Sequence, residues 1–186
     1  VPTLIAAAMA VQLCKKYDKF KIFYFSYMFA LILGIVRYIA GYENMMVYVI
    51  LNALGGFPLG IAAILQYQFT PDCYEYGQYK TGLKMRGVTF AAQTFFTKLN
   101  GAIATAVSVF ALTLIGFKEG EGVIQAAGFA DKLWTFSCLG SIIGGICTLL
   151  ILHLYKLNDH DVQLMSKCNN GEITREEAEA QMINRY

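Results

Sequence analysis

The chain has 186 residues, with 15 Lys plus Arg against 13 Asp plus Glu, and its mean hydropathy is +0.47. Charged residues make up 15% and hydrophobic ones 56%, whereas an ordinary soluble domain carries about 25% charged residues. This composition excludes disorder, a collagen-like chain and a water-soluble globule, and a net charge of +2 excludes a strongly basic nucleic-acid binder.

A hydrocarbon core of about 30 Å needs about 20 apolar residues at about 1.5 Å each. Four blocks meet that standard: 22–41, 45–70, 88–117 and 133–155. The apolar stretch 1–14 is too short and reads as the end of a fifth helix. It has no initiator Met and no charged region ahead of it, so it is a poor signal peptide. The sequence is therefore expected to be the C-terminal part of a longer polytopic chain. Its organisation would be a transmembrane C-terminal bundle over 1–157 and a cytoplasmic tail with a short helix over 158–186.

Basic residues set the direction of the spans. Lys15, Lys16, Lys19 and Lys21 fill the first connection, Lys80, Lys84 and Arg86 the third, and Lys156, Lys167, Arg175 and Arg185 follow the last block. The opposite connections hold only Lys118 and Lys132, beside Glu43, Glu119, Glu121 and Asp131. The basic side is expected to be cytoplasmic, with the tail on it. The five cysteines are scattered, with no C-x-x-C pair, so neither a disulfide framework nor a zinc site is expected.

Pro58 lies mid-block and lacks an N–H, so it should bend or break its helix. Gly56 with Gly60, and Gly140 with Gly144, are small-residue pairs suited to close helix contact. Arg37 sits near the outer end of its block, where snorkelling to the interface accounts for it.

The block 88–117 carries the polar signal. At about 100° per residue, Gln93, Thr94, Thr97, Lys98, Asn100, Gly101, Ala104, Thr105 and Ser108 share one arc about 160° wide. Phe95, Phe96, Leu99, Ile103, Val107 and Phe110 take the other side. Such a helix lines an aqueous cavity or a polar bundle interior. A lysine deep in the bilayer costs about 2.5–3.5 kcal/mol on insertion scales. Lys98 is therefore expected to meet a substrate, a carboxylate or water.

The connection after the second block reads Asp72-x-x-Glu75-Tyr76-Gly77-x-x-Lys80-Thr81-Gly82, then Gly87 and an apolar-aromatic helix. With Gln93-Thr94-x-x-x-Lys98 downstream at matching spacing, it resembles the glycoside–pentoside–hexuronide:cation symporters, of which melibiose permease is the familiar member. The resemblance covers residues 1–157 as the end of helix 8 plus helices 9–12. It implies an all-α major-facilitator fold that moves a sugar with Na⁺ or H⁺ by alternating access. It also implies an N-terminal half as partner, a bilayer environment in the cell inner membrane, and no cofactor beyond the co-transported cation. Lys98 would lie beside the sugar and cation sites and Thr94 would face the sugar, with Gln93, Thr97 and Asn100 completing the binding surface. Asp72 and Glu75 would belong to an inner gate, with Tyr76 in the same motif. Lys84 stands where the family has an arginine and Arg86 where an acid is common, so the gate's partners are expected to be rearranged. Ala63 replaces the sugar-facing tryptophan of melibiose permease.

In the tail, Thr174 and Glu177 fit a capping box. The run 166–177 faintly matches a calcium loop but lacks acids at Ser166 and Cys168. His153 and His160 lie near Asp159 and Asp161, which a solvated tail explains as well as a metal would. The alternative to a symporter is a membrane-embedded structural subunit or enzyme, the latter needing a nucleophile, base or metal cluster at a membrane face.

Overall fold

The computed structural model describes residues 6, 9, 10, 12–120 and 124–186. Those described before residue 15 are helical, and the rest of the stretch 1–14 lies outside the described residues. Four long helices follow: α1 (Lys19–Ala40), α2 (Met45–Thr81), α3 (Arg86–Leu114) and α4 (Phe129–Leu152). Each is long and apolar enough to cross a membrane. Two short tail helices complete the chain, α5 (Asp159–Asn169) and α6 (Arg175–Gln181).

The caps explain where the helices begin and end. Asp18 accepts from the Phe20 amide at the start of α1, and Asn44 accepts from the Met46 and Val47 amides at the start of α2. Gly82 closes α2 at φ 72°, a left-handed conformation that glycine adopts without steric cost.

α2 differs from expectation. It runs unbroken through Pro58 and through Pro71, so most of the expected connection after residue 70 is helix and only 82–85 links α2 to α3. Each proline removes one backbone bond, but the remaining ladder and the packing of α2 on α1 and α5 hold the helix. At about 1.5 Å per residue its 37 residues span about 55 Å, well beyond a bilayer core. The charged end therefore projects past the apolar slab.

α1 packs against both α2 and α4, whereas α3 touches α2 lightly. The main core joins Ala6, Ala10, Ile22, Phe23, Ile61, Ala62 and Leu65. Lipid is as apolar as these side chains, so their association rests on van der Waals fit and on small residues. The tightest such place is Gly145, where an added Cβ would stand 3.1 Å from Leu31 Cδ1. The expected pair Gly140 and Gly144 has open space at the Cβ position, as does Gly56, so α1 and α4 approach one register away from the anticipated motif.

The tail is folded rather than merely solvated. Val162, Leu164, Met165 and Ala178 are buried there. The capping box forms at α6, with the Glu177 amide donating to Thr174 Oγ1 and the Thr174 amide donating to Glu177 Oε2.

Candidate functional site

One face of α2 beyond the apolar slab carries Asp72, Glu75, Tyr76 and Tyr79, spaced i, i+3, i+4 and i+7. Each finds a partner on α1 or the tail. Lys19 Nζ donates to Asp72 Oδ1 and Oδ2 at 2.9 and 2.8 Å. The same ammonium lies 3.2 Å from Asp159 Oδ1. Asn169 Nδ2 donates to the Glu75 carbonyl at 3.0 Å and to its Oε2 at 2.8 Å. The Tyr76 ring meets Tyr186 edge-on at 5.8 Å, and the Tyr79 hydroxyl donates to Glu179 at 3.0 Å.

The starts of α1 and α5 also cap one another. The Asp159 amide donates to Asp18 Oδ2 and the Lys19 amide donates to Asp159 Oδ2, at 2.9 and 2.8 Å. The lysine is thus shared between two acids, of which Asp159 also accepts the Lys19 amide. Its neighbours are aromatic: Phe20 stacks on Tyr155 at 5.3 Å, and Phe69 meets Tyr155 edge-on at 5.3 Å.

Asp161 fastens the tail. It is fully buried and accepts from the amides of Ile183 and Asn184 at 2.8 and 3.0 Å, and from the Tyr186 hydroxyl at 3.0 Å. Burial alone would raise its pKa. The amides of Ile183 and Asn184, with the Asn158 and His160 side chains, outweigh this and hold it at about 2. Among the described residues no group of three His, Cys, Asp or Glu is placed to hold a metal ion.

Two expected gate residues stand apart. Lys84 is exposed in the 82–85 connection, and Arg86 lies over the Phe90 ring at 5.8 Å. Among the described residues neither forms an ion pair with Asp72 or Glu75. Lys19 partners Asp72 and Asp159, and Asn169 partners Glu75. Lys19 is visible in the sequence as one of a basic cluster, but its partner acids are 53 and 140 residues away. The i, i+3, i+4, i+7 spacing on α2 is the signal that marks the face.

The second polar region is α3, whose only buried residue is Ala111. Thr94, Thr97, Lys98 and Asn100 are exposed and Gln93 half-exposed, on the side opposite Phe95 and Phe96. Thr94, Thr97, Thr105 and Ser108 donate their hydroxyl hydrogens to carbonyls one turn back, at 2.8–3.0 Å. Their oxygens keep lone pairs able to accept from a ligand hydroxyl, while Lys98, Gln93 and Asn100 supply donors. Lys98 lies about 18 Å along α3 at about 1.5 Å per residue, and it has no hydrogen-bond or ion-pair partner among the described residues.

Arg37, expected to snorkel to the interface, has partners on two other helices. Its Nη1 donates to Asn52 Oδ1 at 3.1 Å, and its guanidinium lies 5.8 Å from the Trp134 ring centre.

Long apolar helices, a polar stripe along one of them and an ion-paired cluster past the end of another define an all-helical, multi-pass membrane protein. The chain belongs to the family described as MFS/sugar transport protein, which matches residues 1–159. It is 26% identical over 154 residues to a candidate sulfoquinovose importer of Escherichia coli (strain K12), covering 78% of this chain and 32% of that protein. It is 26% identical over 113 residues to a candidate 2,3-dihydroxypropane-1-sulfonate exporter of Salmonella typhimurium, covering 60% of this chain and 24% of the relative. A candidate glycoside/cation symporter, YagG of Escherichia coli (strain K12), is 21% identical over 165 residues, or 89% of this chain and 36% of its own length. The chain thus spans about a third or less of the curated relatives it matches. No solved structure matches it.

Proposed function

We propose that this chain is part of a secondary active transporter that moves a sugar or glycoside across the membrane with Na⁺ or H⁺ by alternating access. The observation that carries this reading is the α3 face. Lys98 sits among hydroxyl and amide groups deep in a spanning helix, with nothing in the described chain to neutralise it. A sugar requires donors and acceptors of this kind, so Gln93, Thr94, Thr97, Lys98 and Asn100 are the substrate-binding residues. The family match and the sugar-related names of its relatives support the same reading.

The work is carried out without covalent chemistry and without a cofactor. Asp72, Glu75 and Tyr76, tied to Lys19 and the tail, form the inner gate, and Lys84 and Arg86 flank it at the entry to α3. Pro58, having no N–H, gives α2 its point of flexure. The gate faces the cytoplasm, in the cell inner membrane, and the N-terminal half of the transporter supplies the opposite wall of the sugar path.

Counterflow of radiolabelled sugars in vesicles bearing the full-length transporter tests this. The relatives' names make sulfoquinovose the first sugar to try, followed by glycosides and hexuronides. Exchange of at least one is expected. Failure with all of them would overturn the reading.

A further inference from the structure

At the end of the bundle away from the tail, α1, α2 and α4 meet around Arg37. Asn52 Nδ2 donates to the Tyr48 carbonyl at 2.9 Å, which turns its Oδ1 toward Arg37 Nη1. Arg37 Nε and Trp134 Nε1 are both shut off from solvent and have no hydrogen-bond partner. Leaving a buried N–H unpaired is costly, and here one such donor belongs to the guanidinium and the other to the indole it lies over. Among the described residues no carboxylate forms an ion pair with Arg37. The nearby Asp131 instead accepts from the Tyr42 hydroxyl at 2.6 Å.

Arg37 also borders two cavities. One, of about 480 Å³, runs between α1, α2 and α4 past Leu31, Leu33, Leu51, Leu59 and Ile142, with Gly144 leaving room in its wall. The other, of about 400 Å³, opens past Tyr42, Tyr48 and Trp134 toward the end of the bundle. The first cavity also carries Tyr27, Asn52 and Ser141 beside Arg37, but aliphatic side chains and glycines make up most of its wall. An amphiphile finds an apolar slot, a cation at its mouth, and a Tyr–Trp rim of the kind that sits at headgroup level.

We infer that this is a binding site for an anionic phospholipid, whose phosphate oxygens accept from the Arg37 guanidinium while one acyl chain enters the slot between α1 and α4. The site is separate from the α3 face and does not depend on the transported sugar.

Native mass spectrometry of the full-length transporter, titrated with phosphatidylglycerol or phosphatidylcholine in detergent, tests this. Wild type should retain phosphatidylglycerol at least tenfold better than phosphatidylcholine, and Arg37→Gln should abolish the preference. Gly144→Leu fills the slot from a position with open space around its Cβ, and it should weaken phosphatidylglycerol retention with Arg37 intact. Equal retention of the two lipids by wild type, or an unchanged preference in Arg37→Gln, would overturn the inference. Should either variant fail to fold, phosphatidylglycerol with a mid-chain diazirine can be photolysed on wild type. Adducts on α1, α2 or α4 are expected around the slot, and adducts confined to α3 would equally refute it. Competition by inorganic phosphate that removes the crosslink entirely would assign the site to a free anion and refute the lipid.

Discussion

The end of α2 and the middle of α3 both carry polar groups, but they treat them in opposite ways. Past the apolar slab, Asp72, Glu75, Tyr76 and Tyr79 are each partnered within the chain, and the fully buried Asp161 is surrounded by donors. Along α3, the Thr94 and Thr97 hydroxyls satisfy only their hydrogens, and Lys98 has no partner among the described residues. Partnered groups hold elements in a fixed arrangement. Groups left available in a membrane span are costly to keep there and are retained for a ligand. The difference separates a fastening from the surface proposed to bind the sugar.

That separation can be broken in several ways. The largest expected effect is on α3. Lys98→Ala removes the insertion cost of an ammonium at bilayer depth, so thermal stability should be equal or higher while sugar accumulation in vesicles falls at least about 100-fold, about 2.7 kcal/mol. Lys98→Arg should not restore transport, because a planar guanidinium does not reproduce a compact point charge. At the fastened end, Asp72→Asn leaves Lys19 with Asp159 alone. Losing one of the two acids from a half-buried pair costs about 2.5 kcal/mol, and labelling of cysteines introduced behind the proposed gate should speed up accordingly.

A smaller loss, about 2 kcal/mol, is expected for Asp161→Asn, read as faster hydrogen exchange at the Ile183 and Asn184 amides. The same contact gives a pH dependence. The folded pKa of Asp161, about 2, lies below its ordinary value of 3.8. Its contribution is therefore complete above about pH 4 and disappears as the pH falls toward 2. The tail should loosen in that window in wild type but not in Asp161→Asn. Smallest is Thr174→Ala, which removes the α6 cap and should cost about 1 kcal/mol of local stability, seen as faster exchange at the Glu177 amide alone.

Sequence and structure agree where one period or one composition decides. Four spans follow from apolar run length, and the polar stripe on α3 follows from the 3.6-residue period. The Thr174–Glu177 box is likewise local. What lay out of reach depends on partners far apart in the chain. Lys19 joins Asp72 across 53 residues, and its amide joins Asp159 across 140. Pro71 looks like a loop boundary because the residue before a proline disfavours helix, yet α2 continues through it with its polar face turned to the tail. Arg37 looks like a snorkelling residue until Asn52 and Trp134, from two other helices, are seen around it.

The claim that α3 presents its polar face to a sugar path is tested most directly by paired cysteine labelling. Thr94→Cys and Phe95→Cys are placed separately in full-length transporter whose native cysteines are replaced. Each is treated with a membrane-impermeant maleimide, with and without the transported sugar. Thr94→Cys should react readily and be protected at least about fivefold by the sugar, while Phe95→Cys, about 100° further round on the apolar side, should react slowly and show no protection. Equal reactivity of the two positions, or protection at Phe95→Cys alone, would contradict the assignment.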